Sequence, residues 1–148
     1  MGERLSIYAS APVQRVLALV ADNRSGRLAT VCERYLALVD RYCPRLTIGE
    51  WYVVIEAMRM EQNDAWRLVP SVVRDAEKRE GLCSEWEIDV EDLAPRLELL
   101  EDAGRLAIQE IAERFWARRK PRNLAEADRV LREIGAKIEP GVRASRTA

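Results

Sequence analysis

Residues 4–9, RLSIYA, alternate between apolar and polar side chains, with Leu5, Ile7 and Ala9 on one side and Arg4, Ser6 and Tyr8 on the other. This is the one convincing strand pattern in the sequence; the other periodic segments repeat at helical spacing. A lone strand leaves its backbone donors and acceptors unpaired and does not stand by itself in water. Either this segment pairs with another chain or it is not a strand. Any fold for the chain is therefore mainly α, with at most one strand that seeks its partner outside its own protomer.

The segments that follow read as helices. Ser10 is placed as an N-cap with Ala11 and Pro12 in the first turn, and Val13, Val16, Leu17 and Val20 make one apolar face of a helix about ten residues long. Asp22-Asn23-Arg24-Ser25-Gly26 reads as a turn, and a second helix is expected from near Arg27. Its stripe, Leu28, Val31, Cys32, Tyr35, Leu36, Val39 and Tyr42, runs unbroken to Pro44. Beyond it, Thr47 and Glu50 in TIGE form a capping box opening a helix to about Met60. Asn63 or Asp64 caps the next segment, which Pro70 splits and Gly81 closes. Asp89 caps a helix carrying Leu93, Leu97 and Leu100. Another, marked by Leu106 through Trp116, ends before Pro121, and Asn123 caps the last. Residues 139–148 show no periodicity and are expected to form a disordered tail.

The order strand, helix, glycine-containing turn, longer helix, written RLSIYAS, VQRVLALVADN and RSGRLATVCERYLALV, resembles the ribbon–helix–helix family of DNA-binding proteins, the Arc and methionine-repressor type. The resemblance covers residues 4–43. It implies a homodimer in which two chains pair their single strands into an antiparallel ribbon that enters the major groove of double-stranded DNA. Leu5 and Ile7 would face the shared core, and Arg4, Ser6 and Tyr8 would face the base edges, although only Arg4 of the three is charged. Arg24, Ser25, Gly26 and Arg27 would meet the phosphate backbone at the start of the second helix, where free amides and a partial positive charge gather. The resulting division is a DNA-binding and dimerisation module at 1–43, a helical domain at 47–138 and a tail at 139–148.

Charge is unevenly spread. Residues 1–43 carry six arginines against four acids, 44–120 carry twelve cations against seventeen acids, and 121–148 carry six cations against four acids. A globally basic footprint is absent, so any DNA contact has to come from local basic faces. The acidic middle instead suits a protein partner. With no histidine in the chain, Ser–His and Cys–His nucleophile systems are excluded, and an enzyme is not expected. Cys32, Cys43 and Cys83 have no CxxC spacing, and neither a disulfide framework nor a zinc site is expected; all three read as buried thiols. No cofactor motif is present. The absence of a secretory signal and of a membrane-spanning apolar run gives a cytoplasmic expectation.

Three smaller features have plain structural readings. Glu85, Glu87, Asp89, Glu91 and Asp92 lack the glycine and spacing of a calcium loop and suit a helix start. Arg118-Arg119-Lys120-Pro121-Arg122 suits a helix end, with a supplementary phosphate contact as its secondary reading. Trp51, Trp66, Trp86 and Trp116 are expected as core or interface anchors. The leading expectation is a homodimeric DNA-binding regulator of repressor or plasmid and phage accessory type, able to form higher assemblies and to recruit a protein through its helical domain. The alternative is a dimeric interaction adaptor or antitoxin-like protein that reads no sequence.

Overall fold

The computed structural model describes residues 11–19, 24–59 and 65–140. Within them the chain is mainly helical, with one two-stranded sheet. It divides into two compact units, Met1–Ala37 and Leu38–Ala148, at a boundary inside a helix.

In the first unit, α1 spans Ala11–Ala18. Helix α2 runs from Arg24 to Tyr42, so its last turns belong to the second unit. Helix α2 starts three residues before the expected boundary: Arg24, Ser25 and Gly26 are helical and not part of a turn. Glycine at this position costs some helix propensity, and the Thr30 hydroxyl donates to the Gly26 carbonyl at 3.0 Å, within the next turn. The expected N-cap Ser10, the strand 4–9 and the turn residues Asp22 and Asn23 lie outside the described residues.

The second unit is built around α3, Ile48–Arg59. Trp51, Val53, Val54, Ile55, Ala57 and Met58 are all buried, so this helix is enclosed on most sides and shows little one-faced periodicity. A 3-10 turn at Ala65–Leu68 leads into α4, Val69–Glu80, with Pro70 in its first turn, where a missing N–H costs nothing. Gly81 then adopts a left-handed conformation and ends α4, as its position in the sequence predicts. A short α5, Leu82–Glu85, follows, and α6 spans Val90–Glu98. Helix α7 runs from Asp102 to Trp116, and α8 from Leu124 to Glu133. Helices α4, α7, α5 and α8 each pack on α3, and α6 packs on α4.

The strands were not visible in the sequence. β1, Arg45–Leu46, pairs in parallel with β2, Lys137–Ile138. The Glu139 amide extends the ladder to the Leu46 carbonyl at 2.8 Å, so the first residue of the expected tail is tied to the sheet. Residues 141–148 lie outside the described residues. The buried Trp51 indole donates to the Lys137 carbonyl at 2.9 Å and locks the sheet onto α3.

The capping box at Thr47 and Glu50 forms reciprocally. The Thr47 amide donates to a Glu50 carboxylate oxygen at 3.0 Å, and the Glu50 amide donates to the Thr47 hydroxyl at 3.2 Å. Glu50 is buried, and its second oxygen accepts from Arg96, which also pairs with Asp92 at 3.0 Å. Asp89 caps α6 through the Glu91 amide at 2.9 Å, and Asn123 caps α8 through the Glu126 amide at 2.8 Å.

Candidate nucleic-acid interface

The residues singled out by the sequence fall into two groups. Arg4, Ser6 and Tyr8, the expected base readers, lie outside the described residues. Arg24, Ser25, Gly26 and Arg27 come together in the first turn of α2. A helix N-terminus carries unpaired amides and about half a positive charge. Most helices offset this with an acid in the first turn, but α2 has none there. Its first turn carries Arg24 and Arg27 in the sequence instead. Ser25 is exposed and Arg27 half-buried, and the Arg27 Nε is buried without a hydrogen-bond partner.

Beyond this turn, most of the described residues of the α2 stripe are half-buried or exposed. Val39 is buried within the second unit, but Leu28, Val31 and Tyr35 are only half-buried and Leu36 is 54% exposed. Cys32 is exposed, which corrects the expectation of a buried thiol: its place on the helical stripe is not matched by burial. On α1, Val13 and Leu17 are half-buried.

The second unit holds a cation-rich recess. Arg59 at the end of α3 meets Arg118 and Lys120 from the connection after α7, over Tyr52, Phe115 and Trp116, with Glu56 the one carboxylate in the lining. The recess encloses about 50 Å³. Its aromatic floor is fixed: Tyr52 stacks on Trp86 with centroids 5.0 Å apart and meets Phe115 edge-on at 5.5 Å. Burial, helped by Glu56 and Glu126, pushes the Tyr52 hydroxyl above its ordinary range. The sequence exposed the run 118–122, but it gave no signal that Arg59, some sixty residues earlier, joins it.

A larger recess of about 380 Å³ lies between the start of α3, the Trp86–Ile88 turn and β2. Asp128 and Arg132 at its wall pair with each other at 3.0 Å. Nothing in the lining forms a nucleophile–base pair.

The remaining chemistry-bearing groups have structural employment. The Cys83 thiol is pushed up to about 11 by burial and by Glu77, and burial likewise raises Cys43, so thiolate is scarce in both at neutral pH. In the acidic segment, Asp89 caps α6, Glu91 lies 3.7 Å from Arg74 and Asp92 pairs with Arg96. Among the tryptophans, Trp51 is fully buried whereas Trp66, Trp86 and Trp116 are half-buried. No group of acidic or sulfur side chains suited to a metal ion occurs among the described residues, nor is any described helix long and apolar enough to cross a membrane. Comparison with protein-family models, with curated proteins and with solved structures returned no match for this chain.

Proposed function

We propose that the chain is a homodimeric DNA-binding regulator whose residues 1–43 form a ribbon–helix–helix module. The observation that carries this reading is α2 itself: an acid-free first turn bearing Arg24 and Arg27, continued by an apolar stripe whose Leu28 and Val31 are half-buried and Leu36 exposed. Burying one leucine-sized side chain is worth ~2 kcal/mol, so a face with Leu28, Val31, Tyr35 and Leu36 favours a partner. The partner is a second copy of the chain, because the same forty residues contain an alternating segment that needs a strand to pair with. In that dimer Arg4, Ser6 and Tyr8 read base edges, and the first turns of both α2 helices hold phosphates.

The test is solution mass, beside binding to duplex DNA. The full chain is expected to be a dimer, and a variant lacking residues 1–10 is expected to be monomeric or unfolded. Arg4→Ala should weaken binding to a specific site. Arg27→Ala should weaken binding to every duplex and lower the salt slope by ~2 for a dimer, at ~0.9 per phosphate contact. A monomer in both forms removes the ribbon.

A second reading, a dimeric adaptor, draws on a different surface. Arg105 donates to the Arg67 carbonyl at 2.9 Å and the Glu98 carbonyl at 3.0 Å, which brings Leu68 and Leu99 to one edge of the helical unit. They are 60% and 85% exposed, in a domain rich in acids. An adaptor shows no salt-sensitive affinity for random duplex, and the regulator does.

A further inference from the structure

We infer that the recess between α3 and the end of α7 is a second DNA contact, gripping the sugar–phosphate backbone of duplex DNA through Arg59, Arg118 and Lys120 of its lining and through Arg119, exposed beside it in the chain. In its choice of partner it rests on the regulator reading. In its residues it is independent of α2.

The charge arrangement carries the inference. From Arg114 to Arg122 the chain has no acidic residue, although the surrounding domain is acidic. The carboxylates that reach this region are already engaged. Glu56 lies 3.6 Å from Arg59. Glu133 takes Arg118 at 3.0 Å and Arg129 at 3.2 Å. Glu126 takes Arg122 at 3.3 Å and Arg129 at 3.7 Å. Glu113, exposed on α7, is a further carboxylate near the run. Arg119 and Lys120 are exposed and have no ion-pair partner among the described residues. A structural role at the helix end accounts for Arg118, which closes onto α8, but not for two more cations left in solvent beyond it.

Shape selects the partner. A recess of about 50 Å³ is far below the ~300 Å³ that encloses a small ligand, and it has no room for the buried aromatic or arginine anchor of a tight peptide interface. It is a shallow cationic surface over a rigid aromatic floor. Such a surface recognises charge repeated along a partner, which is what a nucleic-acid backbone offers. Pro121 restricts the backbone beside Lys120 and limits the freedom lost when the run engages.

The experiment is anisotropy of a labelled random-sequence duplex with the full chain, between about 50 mM and 200 mM salt. Five proteins are compared: wild type, Arg119→Ala/Lys120→Ala, Arg119→Lys, Lys78→Ala/Arg79→Ala and Arg27→Ala. The second pair removes equal charge from the last turn of α4. Arg119→Ala/Lys120→Ala should bind ~10-fold more weakly or worse, with the salt slope reduced by ~2–4 per dimer. Arg119→Lys, which keeps both charges, should keep most of the affinity, and Lys78→Ala/Arg79→Ala should bind close to wild type. Arg119 and Lys120 are exposed and have no ion-pair partner among the described residues, so an unchanged melting curve is expected of Arg119→Ala/Lys120→Ala. Equal losses in the two double variants, or no loss in either, overturn the recess. With Arg27→Ala still weakened, that leaves the regulator reading standing. Loss only in the recess variant upholds the recess and overturns the α2 contact. A wild-type chain that binds no duplex overturns both.

Discussion

Glu77 shows how much one side chain organises here. Its carboxylate accepts from the Cys83 amide at 2.6 Å, the Ser84 amide at 3.1 Å and the Ser84 hydroxyl at 2.5 Å, so it serves the start of α5 while belonging to α4. The Ser84 hydroxyl bond is the largest influence on this carboxyl; burial, the next largest, opposes it, and the Ser84 and Cys83 amides join the hydroxyl in holding the carboxyl below its ordinary range. A carboxyl whose folded pKa is depressed contributes stability above its unfolded value, near 4.5. That contribution fades as pH falls through the lower, folded value. Glu77→Gln is therefore expected to melt below wild type at neutral pH, with the gap closing in acid below about pH 4.5. Thermal melts across that range measure it, and a gap that stays constant with pH would remove the carboxylate's role. None of this was legible in the sequence, because the bond joins residues six and seven apart across a helix break. Cys32 failed for the opposite reason. Its periodicity was legible, but periodicity reports which face a residue shares and not whether one chain covers that face.

Helix ends were the most legible elements. The caps at Thr47, Asp89 and Asn123 and the left-handed stop at Gly81 each rest on contacts within a few residues, so the local sequence specifies them. The Thr47–Glu50 box does more than cap, because Glu50 also carries the link to Arg96 on α6. Thr47→Ala is expected to cost about 1 kcal/mol, the usual worth of an N-cap. Glu50→Ala removes the reciprocal bond, leaves the buried Thr47 amide without its acceptor and takes from Arg96 one of its two carboxylate partners, and should cost about 2–4 kcal/mol. Arg96 is a third exposed, which keeps the figure below that of a fully buried pair. Urea titration of both variants checks the order, and equal costs would mean the Arg96 link contributes nothing. The two-residue strands were illegible by comparison. Arg45–Leu46 and Lys137–Ile138 are too short for alternation to register, and their pairing spans some ninety residues.

At the scale of the molecule, the division at Ala37 and Leu38 separates two kinds of stability. The second unit has its own core: Trp51, Ile55, Leu93, Leu97, Ile108, Ile111 and Leu131 are buried, and Val39 and Cys43 from the end of α2 are buried within it. Among the described residues of the first unit, the apolar side chains are at best half-buried. A core of that quality offsets the conformational entropy of its residues and the other does not, so the two should separate in solution. A variant beginning at Leu38 is expected to unfold in one cooperative step, retain its helical circular dichroism and sediment as a monomer at concentrations where the full chain is dimeric. A peptide of residues 1–37 is expected to show helix only as concentration rises, since its order depends on a second copy. These outcomes would place dimerisation in the first unit and leave the second as a self-sufficient body carrying the Arg59–Lys120 surface. A variant beginning at Leu38 that still dimerises would instead move the interface to the helical unit, where Leu68 and Leu99 are the exposed apolar residues at one edge. The arginines of α2 would then have no dimer to present them as a pair.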